Sequence, residues 1–216
     1  FDAALSAEIL VHAVNSVKLS ALAGLMAVVV AIVMAYSVRI KGGRLLRAVS
    51  RLAGMGYAVP GAVLAVGVMV VLGALDNRID ALARQTFGIS TGLLFSGTIA
   101  AVTFGYLVRF LALALGTVEA SLGKITPSMD GASRSLGHGA MSTMRRIHLP
   151  LMRASLLTAV LLVFVDCMKE LPMTIILRPF NFQTLATFVH QYASDEQLGE
   201  AALAALSIVG VGIVPV

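Results

Sequence analysis

Hydrophobic residues lie along this chain in five long runs that are separated by polar segments. The runs cover residues 17–38, 55–75, 92–116, 151–168 and 200–216. Each is close to the roughly 20 residues that an α-helix needs to cross a bilayer. Apolar residues surround each predicted helix on all sides, without the one-sided stripe of a soluble surface helix. Because five such runs cannot close a barrel, the pattern predicts an all-α membrane protein with about five transmembrane helices.

The composition agrees with this pattern. Of the 216 residues, 58% are hydrophobic and only 12% are charged, and the mean hydropathy is +0.93. Such values are not those of a soluble domain. The single cysteine, Cys167, excludes a disulfide framework or a cysteine cluster that binds metal. The net charge of +5 is spread between the apolar runs, so we expect no nucleic-acid partner.

The distribution of basic residues predicts the orientation, because short loops rich in Lys and Arg tend to stay in the cytoplasm. Ten of the sixteen basic residues fall in the first and third loops. They are Arg39, Lys41, Arg44, Arg47, Arg51, Lys124, Arg134, Arg145, Arg146 and Arg153. These loops are therefore predicted to be cytoplasmic, with the amino end outside and the carboxyl end inside. Residues 1–15, with Glu8 and His12, are predicted to form an interfacial segment ahead of the first span.

The third loop, residues 117–150, is longer and more helical in its propensity than a simple connection between two membrane helices. It contains GASRSLG at 131–137 and IHLP at 147–150, which places Gly137 and Pro150 thirteen residues apart. We predict that a partner docks on this loop. The alternative is that it is only a solvated basic loop.

Within the third loop, residues 128–136 are predicted to form a short helix. Ser128 is the expected N-cap, and Asp130 lies in the first turn, where the helix dipole favours a carboxylate. Gly137 is expected to end the helix.

The third loop is similar to the coupling loop of binding-protein-dependent ABC importer permeases. In that family Glu-Ala-Ala, three residues, Gly and a later Ile-x-Leu-Pro recur. The matching positions here are Ala132, Ser133, Gly137, Ile147, Leu149 and Pro150. Gly131 stands where the pattern has Glu, and Asp130 carries a carboxylate one residue earlier. The resemblance implies that the short helix docks in a cleft of a separate ATPase, a contact that needs shape more than a single charge.

Three further stretches resemble ferric-iron importer permeases. They are MGYAVPGAVLAVG at 55–67, FGYLVRFLALALGTVEA at 104–120 and FVDCMKELPMTIILRPFNFQTLAT at 164–187. The resemblance is to the second half of a longer permease in which two homologous halves are fused. It implies that residues 1–216 form one transmembrane domain, which works with a second transmembrane half. This domain is expected to be a fragment cut at both ends, because it starts with Phe1 in place of Met and stops at Val216 inside an apolar run.

The resemblance also implies a function without enzyme activity in this chain. The sequence contains neither the phosphate-binding GxxxxGK[ST] pattern nor HExxH, and no catalytic nucleophile is predicted. ATP and Mg²⁺ are expected to be used by a partner ATPase dimer, and no cofactor is expected on this chain. A periplasmic binding protein is expected to deliver ferric iron to a multi-pass protein of the bacterial inner membrane, which moves it by alternating access.

Two alternatives remain at this point. Permeases for thiamine, sulfate or polyamines share the coupling loop, so the cargo could differ within the same family. A membrane scaffold without transport activity is the alternative from another class, and it would associate with no ATPase.

Ionisable residues near the outer end of the fourth span are candidates for the solute path, because charges at membrane depth usually face a cavity or a partner. Asp166 and Lys169 have the spacing of an ion pair on one helix face. Glu170 and Pro172 are the candidate residues of the outer gate.

Pro60 and Gly61 complete the candidate path or gate residues. They are predicted to kink the second span, which would leave backbone groups for neighbours or a water-filled path to satisfy. Arg109, late in the third span, is predicted to extend its side chain to the cytoplasmic interface.

No metal site is predicted. His190, Tyr192, Asp195 and Glu196 offer hard ligands in sequence, but a loop with one His and several acids is usually solvated. His138 and His148 are predicted to lie on the surface of the third loop.

Overall fold

The computed structural model describes residues 3–213, and within this range the chain is entirely helical. The helices are α1 (Ala3–Lys41), α2 (Arg44–Ala53), α3 (Gly61–Phe87), α4 (Ile99–Gly123), α5 (Pro127–Ser135), α6 (Ala140–Thr143), α7 (Leu149–Met168), α8 (Pro172–Leu177), α9 (Leu185–Ser194) and α10 (Leu198–Ile213). A 3-10 turn covers Gly56–Ala58, and a π-helical segment covers Met144–His148. The all-α prediction is confirmed.

Four segments of the described chain are long and apolar enough to cross a membrane: Ser6–Lys41, Gly61–Phe87, Ile99–Gly123 and Ala140–Met168. They correspond to the first four predicted spans. The fifth, α10, is apolar but has 16 residues up to the end of the described range.

Helices α1, α4 and α7 form the centre of the bundle. The buried face of α1 carries small residues at helical spacing. They are Ser16, Ser20, Ala23, Ala27, Ala31 and Ala35. At Gly24, an added Cβ would lie 3.0 Å from the carbonyl oxygen of Val160 in α7. Small side chains therefore let these helices approach closely, as membrane helices commonly do.

The first helix is continuous from Ala3 to Lys41, so the separate interfacial segment predicted before residue 16 is wrong for the described residues. No Gly or Pro occurs between Ala3 and Ala23 to interrupt it. At 1.5 Å per residue, its 39 residues make a helix of about 58 Å, well beyond the thickness of the hydrocarbon core.

The second predicted span is broken, not kinked. Pro60 lies at the N-cap position of α3, and Val59 before it is extended (φ −88°, ψ 136°). A proline has no N–H to donate and disfavours helical conformation in the preceding residue, so it begins a helix more easily than it continues one. Helix α3 then continues to Phe87, where Gly88 adopts a left-handed conformation (φ 69°).

The third span begins at Ile99, seven residues later than predicted. Two carboxylates of α3 hold the preceding segment out of a helix. Asp76 accepts hydrogen bonds from the backbone N–H groups of residues 94–96, and Asp80 accepts those of residues 91 and 92. These hydrogen bonds fold the segment back on the end of α3.

The short helix of the third loop is present as α5, and its N-cap prediction is wrong. Thr126 occupies the N-cap position, because Pro127 takes the first helical position and Ser128 follows inside the first turn. Asp130 lies in the first turn as predicted. Gly137, with φ 79°, follows the last residues of the helix and ends it as predicted.

Candidate functional site

The third loop is fastened to the bundle by one carboxylate. Arg39, in the last turn of α1, contacts Asp130 with an Nε–Oδ2 distance of 2.9 Å. The same guanidinium donates to the carbonyl oxygens of Leu122 and Ile125, at 2.6 and 2.8 Å. Nε2 of His148 lies 2.7 Å from the other carboxylate oxygen of Asp130. The first and third loops therefore lie at the same end of the bundle.

The environment of Asp130 favours its charged form. Burial raises the pKa of this carboxyl, but the hydrogen bonds and charges of Arg39 and His148 outweigh that effect, so the pKa is lower than its usual value. Asp130 is thus an anchor between α1, α5 and the start of α7.

His148 is buried, so the prediction that it lies on the surface is wrong. Its side chain is 1% exposed, contacts Asp130 and meets the ring of Tyr36 edge-on with 5.3 Å between centroids. The Tyr36 hydroxyl in turn donates to the carbonyl oxygen of Ala140 at 2.6 Å. The sequence indicates only that His148 precedes the apolar run of α7, and its burial follows from its contacts with Asp130 and Tyr36.

The rest of the predicted docking residues divide between the two faces of the loop. Ser133 is buried and its hydroxyl lies 2.7 Å from that of Thr143. Gly131, Ala132, Gly137 and Pro150 are exposed, while Ile147 and Leu149 are half-buried.

The exposed face of the third loop also carries large apolar side chains that the motif did not single out. Met129 is 43% exposed, Leu136 77% and Met141 63%. We name Met129, Leu136 and Met141 the apolar patch of the docking loop. Exposed apolar residues among polar ones are typical of interaction surfaces.

A second polar site lies at membrane depth. Nε of Arg109, near the middle of α4, is 3.3 Å from Oε2 of Glu170, and both side chains are largely buried. Nη1 of Arg109 also donates to the carbonyl oxygen of Val59 at 3.1 Å. The predicted extension of Arg109 to the cytoplasmic interface is therefore wrong, because a carboxylate and a free carbonyl hold it in the interior.

The four candidate gate residues lie around this ion pair. An added Cβ at Gly61 would lie 2.5 Å from Oε1 of Glu170 and 2.7 Å from Nη1 of Arg109, so a larger residue there would displace both charged groups. Pro60 precedes Gly61, and Pro172 begins α8 two residues after Glu170. The structure thus brings together two segments that are about 110 residues apart in sequence.

Glu170 is held on its other side by α8 and α4. Its Oε1 accepts from the backbone N–H of Met173 at 3.3 Å. Its carbonyl oxygen accepts from the hydroxyl of Thr174, which lies against the buried hydroxyl of Tyr106. These contacts fix the chain where α7 ends.

The predicted ion pair between Asp166 and Lys169 is confirmed, with 2.7 Å between Oδ1 and Nζ. Lys169 is 64% exposed, unlike the buried Arg109. The hydroxyl of Tyr57 donates to the second oxygen of Asp166 at 3.2 Å.

His190 and Tyr192 lie in helix α9, so the loop predicted around them is wrong. His190, Asp195 and Glu196 are exposed, whereas the Tyr192 ring packs on Phe188 with 4.4 Å between centroids. No group of three or more His, Cys, Asp or Glu side chains that could hold a metal ion occurs in residues 3–213.

Residues 88–92 have the sequence GISTG, which matches the G-x-S-x-G pattern of a nucleophile elbow. The elbow needs a strand before the serine and a histidine base. Here α3 precedes the serine, and the Ser90 hydroxyl donates to Asp80 at 2.8 Å and accepts from Arg84 at 2.9 Å. The segment is a capped helix end.

Comparison with known proteins finds a curated protein of similar sequence. No family model matches the chain. The Fe(3+)-transport system permease protein FbpB 2 of Haemophilus influenzae is 29% identical over 145 residues, which is 67% of this chain and 29% of that protein. The chain therefore spans less than a third of the length of this curated relative.

Solved structures decide the fold. A bacterial alginate ABC transporter in complex with an alginate-bound periplasmic protein matches 95% of this chain and 75% of its own with a TM-score of 0.74 at 15% identity. The inward-facing MetNI methionine ABC transporter matches 98% and 96% with a TM-score of 0.67 at 18% identity. The chain has the fold of an ABC importer permease. With the four membrane-length helices, this permease fold makes the chain a multi-pass inner-membrane protein.

Proposed function

We propose that this permease domain is the transmembrane subunit of an ATP-driven importer, and that a separate ATPase dimer docks on α5. The observation that carries the proposal is the arrangement of the third loop. Arg39 and His148 hold its helix through Asp130, while the side chains of its apolar patch remain exposed. A short helix that is fixed to the bundle, with exposed apolar residues on it and just after it, suits insertion into a groove of a partner.

The docking surface comprises Gly131, Ala132, Gly137, Leu149 and Pro150 together with the apolar patch. Its network reaches α1, α4 and the start of α7, the three helices at the centre of the bundle. Movement of the ATPase would therefore be transmitted to the whole bundle, as alternating access requires. ATP and Mg²⁺ are used by the ATPase and not by this chain.

Ferric iron is the proposed cargo, because the curated relative is described as an Fe(3+)-transport permease. A ferric-iron-binding periplasmic protein would deliver it. Thiamine, sulfate and polyamines remain the competing cargoes within the family, and transport-free scaffolding remains the competing class.

The proposed topology has five transmembrane helices, with α10 as the fifth, the amino end outside and the docking loop inside. Residues 1–216 are proposed to be one transmembrane domain of a two-half permease. Lipid and a second transmembrane half would then cover the exposed apolar faces of α3, where Val63, Val66 and Val70 are more than half exposed.

The test is the ATPase activity of the full-length permease, reconstituted with its ATPase in liposomes. We expect ferric-loaded binding protein to stimulate hydrolysis, and apo, thiamine-loaded or polyamine-loaded binding proteins not to do so. Stimulation should disappear when Leu136, the most exposed residue of the apolar patch, is replaced by Asp.

Three results would change the proposal. Stimulation by another binding protein would retain the importer and reject iron. Stimulation that survives Leu136→Asp would reject the docking surface. A permease with which no ATPase co-purifies would overturn the importer proposal.

A further inference from the structure

Two interruptions between helices lie against the continuous helix α4. One interruption separates α2 from α3, between residues 53 and 61, and the other separates α7 from α8, between residues 168 and 172. Gly56 of the first packs against the backbone carbonyl of Val108, and Glu170 of the second contacts Arg109. Adjacent residues of α4 therefore contact both interruptions.

A single guanidinium group bridges the two interruptions. Arg109 donates from Nη1 to the carbonyl oxygen of Val59, which the interruption after α2 leaves without a helical partner. Its Nε faces Oε2 of Glu170 at 3.3 Å. Oε1 of Glu170 lies beside Gly61, the first residue of α3, where the helix dipole favours negative charge.

The contact between the two charged groups is loose. Nε of Arg109 is buried but has no hydrogen-bond partner within the described residues, so the pair is joined by charge without a directional bond. Buried ion pairs are weak sources of stability, since the cost of removing both charges from water offsets their attraction. In membranes such pairs instead mark sites where the protein changes conformation or conducts a solute.

Interrupted helices that meet at membrane depth are also where transporters place the solute path and its moving parts. The candidate gate residues Pro60, Gly61 and Pro172 all lie at the ends of these two interruptions. An attraction that joins them in one conformation would be lost when the segments separate.

We propose that Arg109 and Glu170 form an intramembrane latch, which holds the two helix interruptions together in one conformation of the transport cycle and separates in the opposite one. The proposal rests on the importer function proposed above and adds its positioning residues. Arg109 and Glu170 act on the helix interruptions and are not assigned as ligands of the cargo.

The test compares Arg109→Gln, Glu170→Gln and the double variant in the full-length permease with its ATPase. Each single variant should lower the ratio of stimulated to basal ATPase activity at least about fivefold, the lower end of the range for coupling between sites. Because both residues act through one interaction, the double variant should fall no further than the single ones.

The neighbouring ion pair, in which Lys169 is exposed, provides the matched control. Asp166→Asn and Lys169→Gln remove a contact of 2.7 Å within one helical turn of the latch, and both should keep the ratio within about twofold of wild type. If all four single variants behave alike, or if the latch variants keep the wild-type ratio, the latch is wrong.

A second readout does not depend on transport. Cys167, 2% exposed and three residues before Glu170, should react with a maleimide at least about fivefold faster in both latch variants than in wild type. Labelling is measured on monodisperse permease, with the other cysteines of the full-length protein replaced. Arg109→Lys keeps the charge but loses the Nη1 group that donates to Val59, so its labelling rate should be intermediate. This variant replaces Arg109→Gln in the test if Arg109→Gln does not fold.

The two readouts separate the two proposals. If wild-type ATPase does not respond to any binding protein, the importer function fails, and Cys167 labelling still tests the latch. If wild type is stimulated but the latch variants keep its ratio or its labelling rate, only the latch is overturned.

Discussion

Arg39 and Asp130 are 91 residues apart in the chain, and their side chains meet with 2.9 Å between Nε and Oδ2. This contact joins the last turn of the first membrane helix to the first turn of the short helix in the third loop. The contact assigns the carboxylate of Asp130 a different role from the one that the sequence indicates. In the sequence it looked like a shifted substitute for the glutamate of the coupling-loop pattern, whereas in the structure it faces the bundle.

Replacing Asp130 with Asn should destabilise the permease by about 2–3 kcal/mol, because charge-assisted hydrogen bonds to Arg39 and His148 are lost in a largely buried site. Thermal unfolding of the detergent-solubilised protein measures the effect. Asp195→Asn, at an exposed acid, should leave the Tm within error of wild type.

The contribution of Asp130 should depend on pH in a defined direction. Its pKa is lowered in the folded state, so its stabilisation is present above the unfolded value of 3.8 and is lost as the pH falls through the lowered value. The Tm difference between wild type and Asp130→Asn should therefore be constant near neutral pH and shrink below 3.8. A difference that grows with acidity would contradict the charged anchor.

Gly131→Glu restores the family's glutamate and should strengthen ATPase binding. A side chain at this exposed position meets nothing within 4 Å, so the fold can accept it. Since Asp130 faces inward, the new carboxylate would supply an outward charge worth up to about 1 kcal/mol. Affinity of the ATPase for the permease in nanodiscs measures it.

Gly131→Ala is the control for Gly131→Glu. It raises helix propensity by about 0.5–1 kcal/mol without adding a charge. If both variants change the ATPase affinity equally, the charge has no role at this position.

Gly61→Ala should destabilise the permease by about 1–3 kcal/mol, because a methyl group at 2.5 Å from Glu170 Oε1 forces the carboxylate and Arg109 apart. Gly67→Ala lies in the same helix, with nothing within 4 Å of the added methyl. It should be neutral or slightly stabilising. Equal Tm values for the two variants would show that the site at Gly61 is not tight.

Cysteine labelling tests the predicted orientation. Leu136, in the docking loop, and Phe180, in the segment before α9, are highly exposed and lie at opposite ends of the bundle. In intact cells a membrane-impermeant maleimide should label Phe180→Cys, and Leu136→Cys only after permeabilisation. The reverse pattern would invert the topology.

The sequence was sufficient for the helical class and for the positions of four spans, because lipid requires long apolar runs and helices satisfy their own backbone. Helix ends were harder to predict. The start of α4 depends on Asp76 and Asp80 of the preceding helix, and the start of α3 depends on Pro60 acting as a boundary. Hydropathy contains no information on side-chain hydrogen bonds or on whether a proline kinks a helix or begins one.

The sequence predicts the motifs of the candidate site but not the contacts between their side chains. Gly61 and Glu170 are each candidate gate residues because of their own segments of sequence, and their proximity follows only from the fold. Arg39 was counted as a topology signal and Arg109 as an interfacial side chain, because a basic residue near a span end usually has those roles. Which charges are paired across the bundle depends on tertiary packing alone.

The uninterrupted length of α1 gives the bundle a mechanical lever. Near one end, the hydroxyl of Ser16 accepts the backbone N–H of Leu185, which begins α9, while at the other end Arg39 holds the docking helix. The two attachment points are about 35 Å apart along one rigid axis. If α1 moves as a rigid rod, a tilt of about 5° about either attachment displaces the other by about 3 Å, so the docking helix and the start of α9 are coupled without a relay of side chains.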